Sequence, residues 1–372
     1  MKNIIEIDQL LADSIERSEI PGAVYLLAEG KEVRLHRAVG QAVMPCIECP
    51  EGYPTLLDTI YDVASLTKPL ITTLLLVKAV ENGLLSFDDP IYKFFPEFNR
   101  EDKVKITVRQ LATHSAGFPA WQPLYILVKD KTQVINFIAE QPLLYEPSKK
   151  VIYTDLGFII LGKLLEAIFG NPLDQIASEE IFIPLGLAST FFNPPKRLRW
   201  QIAASERGNK FEKAMAADVG ANYQKWRNEL IWGEVHDTNA LFLGGITGHA
   251  GLFSTALEIY KIAEEFLRGS RLLKEESLLL FSRNFTLGCQ DARSIGWAVT
   301  TDENGDETSA GRALQAGSFG HTGFTGVSLW IEPDKERIYI LLTNRTHPVY
   351  KEFNANELRR RFHTIAQKAF YL

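Results

Sequence analysis

Ser65 and Lys68 stand three residues apart in Ser65-Leu66-Thr67-Lys68. On a helix that spacing turns both side chains to one face. A serine hydroxyl beside a lysine amine is a nucleophile that can be activated without a neighbouring histidine. With a lowered pKa the lysine takes the serine proton; if it stays charged, it stabilises the alkoxide. Pro69 places the pair in a first helical turn, the part of a helix that tolerates proline. The positive end of a helix dipole favours the same alkoxide. Taken alone, the four residues are better described as an N-cap serine and a solvated lysine, so the rest of the chain has to decide.

Two further segments supply complementary chemistry. Tyr153-Thr154-Asp155 opens an apolar helical stretch, residues 156–169. A tyrosine hydroxyl held against Lys68 can carry a proton to a leaving group. Gly320-His321-Thr322-Gly323-Phe324-Thr325-Gly326 stands just before a strand-like run. Its glycines let a substrate lie close to the backbone. A strand-edge N–H, paired with that of Ser65, would form an oxyanion hole.

The elements that must position these residues follow from apolar spacing. Ile4, Ile7, Leu11 and Ile15 mark an amphipathic first helix, stopped by Pro21-Gly22. Residues 23–28 and 33–39 flank Glu29-Gly30-Lys31 as a hairpin, and residues 327–331 and 337–342 flank a second. Residues 295–299 are a further strand candidate. A last helix carries Leu358, Phe362, Ile365 and Ala369 on one face. Between the two ends, residues 67–82, 108–114, 133–140 and 156–169 read as helices, the first ending at Asn82-Gly83. The expected fold is α/β in the α+β sense: an antiparallel sheet built from both termini, flanked by helices, with an inserted, mostly helical domain. The expected division is residues 1–64 and 285–372 for the split domain and 65–284 for the insertion, with the site at their interface. Residues 194–232 are polar and follow no period.

With three motifs in this order, the chain resembles the serine β-lactamase and penicillin-binding protein superfamily. Tyr153-Thr154-Asp155 is most similar to the branch of class C β-lactamases, DD-carboxypeptidases, D-aminopeptidases and related esterases. Leu111-Ala112-Thr113-His114-Ser115-Ala116-Gly117 and Gly248-His249-Ala250-Gly251-Leu252-Phe253 resemble the same branch. The likeness covers nearly the whole chain. It implies Ser65 as acylated nucleophile and Lys68 and Tyr153 sharing general-base and general-acid work. It implies the N–H groups of Ser65 and Phe324 as the oxyanion hole. His321 and Thr322, followed by Gly323, would line the site and meet a substrate carboxylate. The substrate would be a small molecule or short peptide: an ester, a small amide or a D-amino-acid peptide. No cofactor or metal is implied. True β-lactamase activity is the alternative within the enzyme class; a silent binding protein on the same fold is the alternative outside it.

Two residues depart from the class C β-lactamase pattern. Asp155 replaces an asparagine, so an N–H donor is lost and Lys68 gains a counter-ion. That shifts the base role toward Tyr153. His321 replaces a lysine, and histidine is only partly charged at neutral pH. Turnover of anionic substrates would then fall as pH rises through the histidine range. Both changes favour an esterase or peptidase over an efficient β-lactamase.

Bulk properties exclude other classes. A formal net charge of −6 without a basic tract argues against nucleic acid or an anionic membrane as partner. The first residues are interrupted by acids and no apolar run is long enough to span a bilayer, so the expectation is a soluble, cytoplasmic enzyme. Cys46 and Cys49 form a C-x-x-C with no second pair or histidine cluster nearby, and read as loop cysteines rather than half a zinc site. Cys289 reads as a small core residue. His236-Asp237 and His249 read as buried hydrogen-bonding residues near the site. No G-x-S-x-G turn is present, against an α/β-hydrolase.

Overall fold

The computed structural model describes residues 2–303 and 308–371. Ten strands are described: β1 (Gly22–Glu29), β2 (Glu32–Val43), β3 (Tyr53–Pro54), β4 (Tyr61–Asp62), β5 (Phe191–Phe192), β6 (Leu252–Ser254), β7 (Ala298–Val299), β8 (Phe319–Thr322), β9 (Ser328–Glu332) and β10 (Arg337–Thr343). Seven of them form one antiparallel sheet in the order β3-β2-β1-β10-β9-β8-β7. The N-terminal hairpin meets the C-terminal one where β1 pairs β10, Ala23 opposite Thr343. This is the sheet expected from both ends of the chain. Of residues 295–299, only Ala298 and Val299 are strand. A second sheet, β4-β6-β5, had no signal in the sequence because its strands are two or three residues long.

The unbroken apolar runs of β1 and β10 have a physical reason. Successive side chains of a strand face opposite ways. Val24, Leu26 and Ala28 join one core with Ile338, Ile340 and Leu342. Ala23, Tyr25 and Leu27 join another with Tyr339 and Leu341. The second core is closed by helices Lys2–Glu16 and Ala355–Ala369, through Ile7, Leu11, Leu358 and Phe362. Helix Ala256–Ala263 covers the opposite face, and the first core continues into Leu70–Leu76 and the apolar helix Asp155–Phe169. Both sheet faces are buried, so no polar alternation survives in the central strands.

Among the described residues no single helix is long and apolar enough to cross a membrane. The bent pair Asp155–Phe169 and Leu173–Leu185 passes by composition only, and most of Asp155–Phe169 is core. Cys46 and Cys49 are free thiols whose backbones bond each other across a turn. Cys289 is half-buried on a loop rather than in the core, because the turn around Gly288 holds it at the surface. The segment 194–232 consists of short pieces: a 3₁₀ stretch Lys196–Gln201 and helices Lys210–Met215 and Ala217–Gly220. Pieces of four to six residues are too short to write a helical period.

Candidate active site

Ser65 sits in a single 3₁₀ turn, Ala64–Leu66, which follows β4. Ala64 takes φ +47°, a left-handed conformation that costs a non-glycine residue about 1 kcal/mol or more. The turn is tied down from outside itself. Asp62 Oδ1 accepts from the Ala64 N–H at 2.9 Å and its Oδ2 from the His236 N–H at 2.8 Å. Thr325 Oγ1 donates to the Asp62 carbonyl at 2.8 Å. Lys68 does not start an α-helix: Lys68–Thr73 is π-helical, and α geometry begins at Leu74. Local π geometry is rare and often marks functional sites. The expected regular helix is corrected to this sequence of turn, π segment and α-helix.

The three motifs converge. Lys68, fully buried, places its Nζ 3.0 Å from Ser65 Oγ, 2.7 Å from Asp155 Oδ1 and 3.0 Å from the carbonyl of His249. All three ammonium protons have an acceptor. Burial pulls the Lys68 pKa down, but the Asp155 charge, helped by Tyr153, more than offsets it, and the net shift is upward. Lys68 is therefore an ammonium ion.

Tyr153 lies with its ring 4.9 Å from Lys68 Nζ. Its hydroxyl is buried and has no hydrogen-bond partner, although Lys68 and Ser65 are close enough to act on it. Burial raises the phenol pKa; Lys68 pulls it back in part. His114, which sequence reading gave no role, supports this residue. Its ring lies 4.5 Å from that of Tyr153 and 5.1 Å from that of Phe158. Its Nδ1 accepts from the Thr154 N–H at 3.0 Å, fixing the turn that presents Tyr153. Burial keeps His114 neutral.

The third motif stands just before β9, as expected, and its first residues are themselves strand: His321 and Thr322 of β8 are paired to Leu329 and Ser328 of β9. Gly323 closes the approach to the Ser65 turn. A Cβ there would stand 2.6 Å from the Val63 carbonyl and 2.5 Å from Val327 Cγ2. Among the described residues, neither the Ser65 N–H nor the Phe324 N–H donates to another protein group. His321 corrects an expectation. Its Nδ1 donates to the Thr322 carbonyl at 2.8 Å, its ring packs 5.6 Å from Tyr153, and its Nε2 is buried without a partner. Burial, then Lys68 and Arg293, drive its pKa well below the usual value. It is neutral throughout the physiological range, so it offers an acceptor lone pair rather than a positive charge.

These groups face a cleft of about 470 Å³, lined also by Trp121, Glu212, Asp237, Arg345 and Arg359. Of the aromatic residues in this region, Trp121 reaches the cleft. Phe118 is core, and Tyr125 packs on Tyr223 and Trp226. His236 and His249 serve different carboxylates, Glu206 at 2.9 Å and Asp237 at 3.2 Å. Arg345 and Arg359 form no ion pair with any described carboxylate; they donate to the carbonyls of Phe324 and Gly323 at 2.6 and 2.7 Å. Burial and then Arg345 push the Arg359 pKa down to about 9. Glu212, Arg345 and Arg359, which line the far walls, had no motif to announce them.

A β-lactamase-type sheet with a serine, a buried lysine and a tyrosine gathered at one cleft defines a serine hydrolase of the penicillin-binding protein and β-lactamase fold. The chain matches the Beta-lactamase family model over residues 7–363 and belongs to that family. A protein of Escherichia coli (strain K12) named "Putative D-alanyl-D-alanine carboxypeptidase" is 35% identical over 78% of this chain and 70% of its own length. One of the same name from Escherichia coli O157:H7 is 31% identical over 93% of this chain and 83% of its own. Among solved structures, a β-lactamase/D-alanine carboxypeptidase from Pseudomonas syringae superposes with a TM-score of 0.76 at 18% identity, covering 99% of both chains. EstCE1, a hydrolase with promiscuous acyltransferase activity, superposes with a TM-score of 0.73 at 20% identity, covering 98% of both.

Proposed function

We propose that this hydrolase forms an acyl-enzyme at Ser65 with an ester, a small amide or a D-amino-acid peptide. The observation that carries this reading is the contact of Lys68 Nζ with Ser65 Oγ at 3.0 Å while Asp155 and a carbonyl hold the ammonium in place. Ser65 Oγ attacks the substrate carbonyl and gives its proton to the Lys68–Tyr153 pair. The carbonyl oxygen, now negative, is held by the N–H groups of Ser65 and Phe324. The pair returns the proton to the leaving group. Water then attacks the ester carbon and the serine proton is restored.

With Lys68 held charged by Asp155, the base role falls on Tyr153. Its phenol must be ionised for the attack, and Lys68 is the group that favours the phenolate. Free carboxylates on a substrate are met by Arg345 and Arg359 rather than by a neutral His321. That arrangement, with the names of the Escherichia coli relatives, favours a peptide with a C-terminal D-amino acid within the substrate classes above. The test is steady-state turnover of a p-nitrophenyl ester and of a D-alanyl-D-alanine peptide by wild type and Ser65→Ala. Loss of at least about 10³-fold in both is expected for removal of a covalent nucleophile. Equal ester turnover by the two proteins would overturn the assignment.

A further inference from the structure

Glu212 lies on helix Lys210–Met215, in the segment whose sequence carried no pattern. It lines the same cleft as Ser65 and is only 6% exposed. One carboxylate oxygen, Oε1, accepts from the Thr238 N–H at 3.0 Å. The other, Oε2, is buried and has no partner. His236, whose charge pulls the Glu212 pKa down in part, gives its ring Nε2 to Glu206 and not to this oxygen. Lys213, on the same short helix, extends to Asn228 and over the Trp226 ring. Arg227 is spent on the carbonyls of Val235 and His236 and on Asn209 and Thr238. The adjacent Asp237 is itself occupied by the Ala240 N–H and His249. Burial and the Asp237 charge push the Glu212 pKa up to about 7.

A buried carboxylate oxygen facing a cleft is costly unless a donor from outside completes it. A cation completes it best, because charge-assisted hydrogen bonds are the strong ones. One free oxygen suits a single N–H of an ammonium; a guanidinium would ask for two in parallel. The aromatic rings of Trp121 and Phe211 line the same cleft and accept the carbon chain or the face of such a cation. The position is tied to the reacting centre. Phe211 packs 4.8 Å from Phe324, whose N–H is assigned to the oxyanion. Thr238, which bonds Glu212, lies two residues from His236, which bonds the Asp62 carboxylate under the nucleophile turn.

We propose that Glu212 is a specificity residue that receives a primary ammonium group of the substrate, so that the enzyme selects amine-bearing acyl compounds such as D-aminoacyl or D-lysyl derivatives. This rests on Ser65 being the acylated residue. The test uses two substrate pairs: D-alanine p-nitroanilide against its N-acetyl form, and N-acetyl-D-lysine p-nitroanilide against the norleucine analogue. In at least one pair, kcat/KM for the amine should exceed that for its partner by about 10- to 100-fold, the range of a charge-assisted bond. Glu212→Gln should collapse that ratio toward one. Ratios near one in both pairs for wild type, or a ratio that survives Glu212→Gln, would overturn the proposal. Should Glu212→Gln not fold, Ser65→Ala with Glu212 intact is titrated calorimetrically with both members of each pair. Preferential binding of an amine supports the ammonium site, and equal binding within both pairs overturns it. Because that arm needs no turnover, it separates this proposal from failure of Ser65 as nucleophile.

Discussion

Lys68 has no spare proton: Ser65, Asp155 and a carbonyl take all three. That arrangement makes it an electrostatic anchor, and it leads to a pH prediction. Both Lys68 and Tyr153 have pKa values above their ordinary ones, so the active form of the pair gains population as pH rises through the alkaline range. Asp155→Asn removes the largest influence that raises Lys68, and the alkaline limb of kcat/KM should move to lower pH. An unmoved limb would separate Asp155 from the proton inventory. For an anionic substrate, no inflection in the histidine range should depend on His321, since burial keeps it neutral. A step near pH 6–7 that disappears in His321→Asn would contradict its neutrality. At this scale the sequence was readable where spacing is local, as for Ser65 and Lys68. Asp155 and the His249 carbonyl reach Lys68 from 87 and 181 residues away. Motif order brought Asp155 within reach of inference. Glu212, Arg345 and Arg359 had no such order to mark them, because only tertiary packing brings them to the cleft.

The elements that matter are short and irregular, and each is held by its neighbours. The turn that carries Ser65 is fixed by Asp62, Thr325 and the strained Ala64, and the end of β8 comes close enough that position 323 has no room for a side chain. Gly323→Ala must push β8 away from Val63 or displace Val327. Overpacking of this kind costs about 1–3 kcal/mol. The expected result is a folded protein with a modestly lowered Tm and a far larger loss in the rate of acyl-enzyme formation, measured as a burst with a p-nitrophenyl ester. A full-rate burst would remove this close approach from the catalytic geometry. Long helices and both hairpins were legible because apolar spacing repeats over enough residues to be read. The π segment at Lys68–Thr73, the three-stranded sheet and the pieces within 194–232 were not. Their form is set by what they pack against, not by a period of their own.

At the scale of the whole molecule, the sheet joins both ends of the chain and buries both of its faces, and several histidines are sealed in neutral form. His347 accepts from the Met44 N–H at 2.8 Å and donates to the Ser205 carbonyl at 2.7 Å, leaving no place for a second proton. Burial lowers its pKa to about 4, and that of His363 to about 3. Their unfolded values lie near 6.5. Between those limits the unfolded chain binds more protons, so stability is full above pH 6.5 and is lost as pH falls, by about 1.4 kcal/mol per pH unit for each histidine. Glu212, raised to about 7, works in the opposite sense and offsets about one of them. Unfolding free energy should therefore drop from pH 6.5 to pH 4, and His363→Gln should make that slope shallower. An unchanged slope would mean that His363 takes up its proton in the folded protein. The central claim, an acyl-enzyme at Ser65, is met most directly by intact-mass spectrometry after mixing with a fluorophosphonate and with a penicillin, beside Ser65→Ala. A single adduct on wild type, mapped to the peptide holding Ser65 and missing from the variant, is the expected result; an adduct of equal yield on both proteins, or none with either probe, would contradict it.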